Sequence, residues 1–155
     1  MLIAVLSDTH GLLRPEVLPA IAGADHILHA GDVGNIEILD QLRTVAPVTA
    51  IRGNIDQHGP CAELPATEAV ELNGCLIYIV HAINDLDIAP KAAGVKVIVY
   101  GHSHQPSIQS HKGILYLNPG SCGPQRFKLP VTLAWLRIEE SKLRAEILYL
   151  LDPLS

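Results

Sequence analysis

The sequence predicts an α/β fold, and two observations lead to that class. Short apolar runs, most of them rich in β-branched residues or bounded by Gly, Pro or Asn, recur along the whole chain of 155 residues. Through the first two-thirds of the chain, these runs alternate with segments of helical periodicity, as they do in parallel βαβ units. The last third consists mostly of strands. The length suits one domain, predicted over residues 1–155.

Nine strands are predicted, and the first three are almost continuously apolar. Such runs are typical of strands that are buried on both faces of a parallel sheet. A hairpin turn is expected at His111–Gly113, and a break between two longer strands near Glu139–Lys142. The predicted strands are Leu2–Leu6, Ile27–Ala30, Val48–Ile51, Leu76–Val80, Val95–Tyr100, Ser107–His111, Ile114–Leu117, Val131–Ile138 and Leu143–Leu151.

Three helical segments lie between these strands. Pro15–Ala22 begins with a proline, which fits the first turn of a helix. Asn35–Arg43 carries apolar residues at three-residue spacing, with Asn35 as the expected N-cap and Glu37 in the first turn. Asp85–Ala93 shows a weaker pattern of the same kind.

Composition and charge exclude several classes of protein. Hydrophobic residues make up 48% of the chain, but no apolar stretch approaches the ~20 residues of a membrane span. The N-terminus carries no basic leader, so we expect no secretory signal. Cys61, Cys75 and Cys122 form no CxxC pair, which indicates reduced thiols and a cytoplasmic location. A net charge of −5 without blocks of like charge argues against extended nucleic-acid binding. The oligomeric state is left open, and a homo-oligomer is compatible with the sequence.

Side chains that can bind metals follow five of the predicted strands. These side chains belong to Asp8, His10, Asp32, Asn54, His81, His102 and His104. In an extended segment, residues two apart point the same way, so Asp8 with His10, and His102 with His104, are each expected to close on one ion. Parallel α/β sheets bind ligands beyond the carboxyl ends of their strands, where all seven residues would meet. The pattern predicts a metalloenzyme.

These residues lie in ordered motifs through which the chain resembles the calcineurin-like metallophosphoesterases. The motifs are Ser7–Gly11, Ala30–Asp32, Arg52–Asp56, Val80–His81, Gly101–His104 and Asn118–Ser121. The chain looks most like the small bacterial and archaeal single-domain phosphodiesterases of that superfamily. The resemblance implies a four-layer αββα sandwich, in which two mixed β-sheets are flanked by helices and a dinuclear metal site lies at one end.

The resemblance also implies roles for the ligands. One ion would be bound by Asp8, His10, Asp32 and His104, and the other by Asp32, Asn54, His81 and His102. Asp32 would therefore bridge the two ions. Nitrogen and oxygen ligands without thiolate favour divalent Mn, Ni, Fe, Co or Zn, of which we prefer manganese. Attack of a metal-bridging hydroxide on phosphorus would then hydrolyse a small phosphodiester.

Two departures from the family pattern remove proton donors. Many members have a histidine where this chain has Ile55, and a second histidine of the fourth motif is replaced by Ile83. Asp56 is expected either to orient a ligand or to act as the acid, and it joins Asn54 and His81 as a candidate catalytic residue. We expect slow turnover that favours good leaving groups. The alternative is a catalytically weak or inactive scaffold of the same fold, such as the retromer scaffold subunit.

Other residues near the motifs are candidates for supporting roles. Gly31, Gly53 and Gly101 each precede a ligand, where we expect sharp turns that a Cβ would hinder. Arg52 and Arg126 could each bind a phosphate.

Two polar residues of the last motif, Asn118 and Ser121, are expected to fix the backbone of a loop beside the site rather than to touch substrate. His29 is interpreted either as a satisfied core histidine or as a support for Asp32.

Overall fold

The computed structural model describes residues 1–126 and 128–151, so residues 127 and 152–155 of the predicted domain lie outside the described residues. Within the described ranges, ten strands form two five-stranded sheets. The strands are β1 (Leu2–Leu6), β2 (His26–His29), β3 (Val48–Ala50), β4 (Thr67–Leu72), β5 (Cys75–Val80), β6 (Val97–Val99), β7 (Ser107–His111), β8 (Ile114–Asn118), β9 (Val131–Glu139) and β10 (Lys142–Leu151). The α-helices are α1 (Val17–Ala20), α2 (Ile36–Leu42) and α3 (Pro90–Ala93).

Both sheets are mixed. The first sheet has the order β10-β9-β1-β2-β3, with β1, β2 and β3 parallel and the last two strands of the chain antiparallel. The second sheet has the order β4-β5-β6-β8-β7, with β5, β6 and β8 parallel and an antiparallel strand at each edge. Of the three apolar runs predicted to form parallel strands buried on both faces, the first two occupy inner positions of the sheet as β1 and β2. The prediction is wrong for β3, which lies at the edge of the sheet and is only partly buried.

Three hydrophobic clusters fill the spaces between the layers. The central cluster joins the facing sides of the two sheets, with residues such as Val5 and Ile77 fully buried in it. A second cluster packs α1 and α2 on the outer side of the first sheet through Val17 and Leu39. A third covers the outer side of the second sheet with the segment that leads to Val95. Each fully buried aliphatic side chain contributes about 1.5–3 kcal/mol. The four-layer αββα sandwich predicted from the resemblance is confirmed.

The helices are shorter than predicted. At α2 the expected cap is present, because Asn35 Oδ1 accepts a hydrogen bond of 3.0 Å from the Glu37 amide. The prediction of a single helix over Asp85–Ala93 is wrong: the chain makes a 3₁₀ turn at Ile83–Asp85 and then α3. Pro90 explains the break, since the residue before a proline is disfavoured in helical conformation while proline itself suits a first turn.

Strand β4 was not predicted. It pairs antiparallel with β5 through a tight turn at Asn73–Gly74, where Asn73 has a φ of 50°. Asn-Gly between apolar residues is a strong hairpin signal and could have identified this strand. The turns predicted at His111–Gly113 and near Glu139–Lys142 are confirmed, since β7 with β8 and β9 with β10 form hairpins there.

Cys61, Cys75 and Cys122 are buried and unpaired. Burial raises the pKa of all three thiols, that of Cys122 to about 12. The thiols are therefore neutral near pH 7. No helix in the described ranges has the length and apolarity needed to cross a membrane.

Candidate metal centre

The loops that follow β1, β2, β3, β5 and β6 meet at one end of the sandwich. The Asp8 amide donates to the Gly31 carbonyl at 3.0 Å, which joins two loops of the first sheet. His81 connects the two sheets, because its Nδ1 lies 2.7 Å from the Ala30 carbonyl while its own carbonyl accepts from the Gly101 amide at 2.8 Å. All seven metal-capable residues predicted from the sequence lie in these loops.

Six of these residues form two clusters with the spacing of metal ligands. The first ligand group is Asp8, His10 and His104, and the second ligand group is Asp32, His81 and His102. Within each group the potential ligand atoms all lie within 4.8 Å of one another. Asp32 Oδ2 is 3.2 Å from His10 Nε2 and 3.2 Å from His81 Nε2. Asp32 therefore lies between the two groups.

The expectation from strand geometry that His102 and His104 close on one ion is wrong, because they fall in different groups, as the family resemblance implied. That expectation required extended backbone, but β6 ends at Val99 and the two histidines have φ values of 71° and 62°. Asp8 and His10 do share a group, although they too have left-handed backbone, with φ values of 57° and 47°.

Both carboxylates are held in their ionised form. Asp8 Oδ2 accepts hydrogen bonds from Ser7 Oγ at 2.7 Å and from the His102 amide at 3.0 Å. Burial alone would raise the pKa of Asp8, but the nearby His10, the hydrogen bond from Ser7 and the charges of His81 and His104 together lower the pKa. An ionised carboxylate is the form that binds a cation.

The pKa of Asp32 is shifted more strongly than that of Asp8. Its Oδ1 accepts a hydrogen bond of 3.0 Å from the Ile55 amide. Burial acts to raise its pKa, but His81 and the Ile55 amide together lower it to about 2. Asp32 therefore carries a full negative charge throughout the physiological pH range.

The first ligand group contains polar atoms that protein hydrogen bonds leave unsatisfied. Asp8 Oδ1, His10 Nε2 and His104 Nδ1 are buried and have no hydrogen-bond partner among the described residues. Leaving such atoms unpaired costs about 1–3 kcal/mol each. Asp8 Oδ1 and His10 Nε2 are 3.6 Å apart, and His104 approaches Asp8 Oδ1 through Nε2 at 3.4 Å. A carboxylate oxygen and imidazole nitrogens are ligands of divalent transition metals, so a cation fits this group.

His81 and Asn54 fit a cation at the second group. Because the Ala30 carbonyl can only accept, it holds a His81 proton on Nδ1, so Nε2, which faces Asp32, is the nitrogen that would bind a metal. Asn54 Oδ1 lies 3.0 Å from that nitrogen. With its amide turned over, Asn54 would instead donate to His81 Nε2 at 3.0 Å and to the Asp32 oxygens at 3.1 and 3.2 Å. A cation bound to these acceptors would favour the orientation with oxygen inward.

The three glycines that precede ligands are crowded by the site. A Cβ on Gly53 would overlap Asp32 Oδ1, and a Cβ on Gly101 would overlap Ser7 Oγ. Only Gly31 also has a positive φ, 101°, and a Cβ there would lie 2.8 Å from His81 Nδ1. The predicted reason, a sharp backbone turn, therefore applies to Gly31, whereas at Gly53 and Gly101 the reason is space.

Asp56 supports the loops from outside the two ligand groups. Its carboxylate accepts hydrogen bonds from the backbone amides of Val33, Gly34 and Gly53, at 3.0, 2.9 and 2.9 Å. These bonds tie the loop of Asp32 to the loop of Asn54. They favour the orienting role of Asp56 over its role as an acid.

The loop from Asn118 to Arg126 lies against the first ligand group. Asn118 Nδ2 donates to the Gly101 carbonyl at 3.2 Å, and Ser121 Oγ donates to the Asp8 carbonyl at 2.8 Å. Both residues thus hold loop backbone, as predicted. At the end of the loop, exposed Arg126 lies 3.3 Å from His10, measured from Nη2 to Nδ1.

A cleft of about 430 Å³ opens beside the second ligand group. Its lining includes Asn54, His81 and His102 together with Arg52, Thr67, Ala82, Asp85 and Asp87. Sequence reasoning missed Thr67, Asp85 and Asp87. Asp85 and Asp87 follow His81 closely in sequence, which is a weak signal, whereas Thr67 reaches the cleft only because β4 pairs with β5. Arg52 lines the cleft while its guanidinium donates to the Leu64 carbonyl.

Comparison with known proteins agrees with this site. The profile of the calcineurin-like phosphoesterase superfamily domain matches residues 1–141. A probable metallophosphoesterase of Methanothermobacter thermautotrophicus is 35% identical over 160 residues, which cover 96% of this chain and 92% of that protein.

Solved structures share the fold. An archaeal phosphodiesterase has a TM-score of 0.78 and 25% identity, over 96% of this chain and 100% of that one. Wild-type Vps29 of Entamoeba histolytica, complexed with zinc, has a TM-score of 0.73 and 21% identity, over 96% and 99% of the two chains. At that identity, the likeness to Vps29 shows the fold alone.

Proposed function

The chain belongs to the calcineurin-like phosphoesterase superfamily, and from this membership we propose that it is a phosphodiesterase that uses two divalent cations. The observation that carries the proposal is the position of Asp32 between two adjoining ligand groups. Asp8, His10, Asp32 and His104 hold one cation, and Asp32, Asn54, His81 and His102 hold the other. Asp32 bridges the pair.

The chemistry of the ligands suits a phosphoester. When bound, a pair of divalent cations acidifies water and neutralises charge on phosphoryl oxygens. Asp8 and Asp32 supply the only formal negative charges among the seven ligands, which leaves the loaded site cationic. The buried carboxylates are already ionised and His81 is already oriented by its hydrogen bond to Ala30, so these three ligands are preorganised in position. Manganese is the proposed ion, because oxygen and nitrogen ligands without thiolate suit it.

A small phosphodiester is the proposed substrate class. The cleft beside His102 and Asn54 has room for an organic group attached to the phosphate. An archaeal phosphodiesterase with 25% identity supports diesters over monoesters. Asn54 and His81 line the cleft, and His81 belongs to the second ligand group, which supports a role for both residues in orienting the phosphate for attack.

Metal analysis combined with hydrolysis of bis(p-nitrophenyl) phosphate tests the proposal. Purified wild-type protein supplied with Mn²⁺ is expected to bind about two ions per chain and to release nitrophenol. Asp32→Asn should lose Mn²⁺ and nearly all activity. Asp40→Asn, the same change at an exposed aspartate of α2, serves as the control and should retain both. Full metal content and full activity in Asp32→Asn would overturn the proposal.

A protein-binding scaffold is the second candidate function. One observation favours it: Ile55, which follows Asn54 at the rim of the site, exposes 43% of its surface. An apolar side chain at this position suits contact with a protein better than proton transfer. Wild-type protein that binds no Mn²⁺ and hydrolyses no diester would favour this second function.

A further inference from the structure

Arg126 is a cationic side chain at the rim of the first ligand group, and the proposed function gives it no role. Its exposed guanidinium places Nη2 3.3 Å from His10 Nδ1. The loop that carries it is fixed to the site, since Ser121 Oγ donates to the Asp8 carbonyl and Arg14 Nε donates to the Gly123 carbonyl, each at 2.8 Å. These bonds hold the loop against the site as far as Gly123, three residues before Arg126.

The contact between Arg126 and His10 fixes the tautomer of the histidine. A guanidinium can only donate hydrogen bonds, so His10 Nδ1 must accept, and the proton of the neutral ring lies on Nε2. Yet Nε2 is the nitrogen that faces the carboxylates, 3.6 Å from Asp8 Oδ1 and 3.2 Å from Asp32 Oδ2. It has no hydrogen-bond partner in the described part of the chain.

A cation bound through Nε2 requires the other tautomer. The His10 proton would then lie on Nδ1 and would face the N–H groups of Arg126, so two donors would oppose each other. The hydrogen bond between Arg126 and His10 and the binding of a cation by His10 therefore exclude each other. Loading the first ligand group releases the guanidinium.

We propose that Arg126 exchanges partners when the site is loaded, leaving His10 and binding a phosphoryl oxygen of the substrate. This inference rests on the proposed function, because it needs cations and a phosphoester at the same site. A guanidinium presents forked N–H donors that match phosphate oxygens, and it stays charged at every working pH. Arg126 thus makes phosphate and metal binding favour each other.

This exchange of partners predicts that Arg126 has opposite effects on the affinity of the protein for Mn²⁺ and on its affinity for phosphate. Without phosphate, the guanidinium competes with the cation for His10, so Arg126→Ala should bind Mn²⁺ severalfold more tightly. With Mn²⁺ present, Arg126→Ala should bind inorganic phosphate about tenfold more weakly or worse, since a hydrogen bond to a charged group is lost. A side chain that only supports the loop would not change the two affinities in opposite directions.

Isothermal titration calorimetry measures both affinities on the full chain. Mn²⁺ is titrated into the protein, and inorganic phosphate is then titrated into the Mn²⁺-loaded protein, for wild type, Arg126→Ala, Arg126→Lys and Arg43→Ala. Arg126→Lys keeps the charge but not the fork and should bind phosphate with intermediate affinity. Arg43→Ala removes an exposed arginine of the α2 C-terminus and should change neither affinity. Circular dichroism confirms that each variant is folded.

Two results would overturn the inference while leaving the proposed function intact. One is an unchanged phosphate affinity in both Arg126 variants, and the other is an unchanged Mn²⁺ affinity in Arg126→Ala, each with a wild type that binds Mn²⁺ and hydrolyses diester. A wild-type chain that binds no Mn²⁺ overturns the proposed function and this inference with it.

Discussion

Left-handed backbone is concentrated at the candidate metal centre. Among the described residues, nine non-glycine residues have positive φ. Four lie in hairpin turns, and the other five are Asp8, His10, Asp32, His102 and His104. Each such conformation costs roughly 1–2 kcal/mol for a residue with a Cβ. Strain of this kind persists where the surrounding structure enforces it, and it clusters at functional sites. The unusual backbone is therefore an argument, independent of side-chain type, that these loops form a site.

A substitution at Gly53 tests how closely the loops of Asp32 and Asn54 must approach each other. In Gly53→Ala the new Cβ would overlap Asp32 Oδ1 and the Asp32 backbone nitrogen. We expect Mn²⁺ affinity to fall by about tenfold or more and the free energy of unfolding to fall by about 1–3 kcal/mol. Gly23→Ala is the control: its Cβ meets nothing within 4 Å but its φ is +90°. It should lose about 1 kcal/mol of stability and bind Mn²⁺ normally. Normal Mn²⁺ binding by Gly53→Ala would contradict this account.

His29 is fully buried behind the site and fully hydrogen-bonded. Its Nδ1 accepts from the Gly31 amide at 3.1 Å, so the proton lies on Nε2, which is 3.0 Å from Thr9 Oγ1. The two contacts join the loop of Asp8 to the loop of Asp32. His29 is thus a satisfied buried histidine that also supports the site, and it combines both sequence interpretations.

The lowered pKa of buried His29 predicts that the stability of the protein depends on pH. Burial, only partly opposed by nearby carboxylates, lowers its pKa from 6.5 to about 4. As the pH falls, the unfolded chain takes up this proton first, so stability is complete above about pH 6.5 and is lost between pH 6.5 and 4. The loss by pH 5 is about 2 kcal/mol. Urea unfolding of metal-free wild type and His29→Gln at pH 7.5 and 5 measures it. Equal losses in both proteins would contradict the prediction.

Ile55 and Ile83 stand where the family resemblance led us to expect histidines, and neither isoleucine can transfer a proton. A general acid typically contributes about 10²–10⁴-fold to the rate when the leaving group is poor. We therefore expect bis(p-nitrophenyl) phosphate to be hydrolysed at least about 100-fold faster than a dialkyl phosphate. In Ile55→His, the dialkyl rate should rise more than the nitrophenyl rate. Equal rates on both diesters with wild-type enzyme would show that another residue supplies the proton.

The identity of the metal-capable residues could be predicted from local patterns in the sequence, but their grouping could not, and only the family resemblance implied it. Each residue follows an apolar run, and strand ends are visible in the sequence because polarity changes there. The grouping depends on φ values that no residue type dictates. His102 and His104 are two apart, yet left-handed backbone sends them to different groups. Arg126 likewise reaches His10 only through folding of a loop 116 residues away in sequence.

Strands were predicted more reliably than helices. Leu2–Leu6 has the predicted bounds because an apolar run ends at polar Ser7, and Ser107–His111 has them because a hairpin turn follows it. The helices are four to seven residues long. Segments this short have little intrinsic helical stability and depend on tertiary packing. Their ends are therefore decided by contacts with the sheets, which local sequence does not reveal.

The N-cap of α2 is expected to contribute measurably to stability. Asn35→Ala removes the acceptor of the Glu37 amide and should lower the free energy of unfolding by about 1 kcal/mol. Asp40→Ala on the same helix removes an exposed ion pair with Arg43 and should cost at most about 0.5 kcal/mol. Urea unfolding compares the two variants. A loss in Asn35→Ala no larger than that in Asp40→Ala would mean that the cap is unimportant.

The candidate metal centre is built from residues of both sheets rather than from either sheet alone. Asp8, Asp32 and Asn54 follow strands of the first sheet, whereas His81, His102 and His104 follow strands of the second. Neither sheet alone carries a complete ligand group. Strand-end positions predict that the ligands meet, but periodicity does not show how two sheets face each other. The division of the site between two sheets therefore followed only from the family resemblance. The cleft and the position of Arg126 follow from the same packing.

Anomalous diffraction from crystals grown with Mn²⁺ tests the central claim most directly. Data collected at the manganese edge should show two peaks per chain, about 3.5–4 Å apart, with Asp32 between them. One peak should contact Asp8, His10 and His104, and the other Asn54, His81 and His102. No peak at these residues, or a single peak that contacts all of them, would contradict the account.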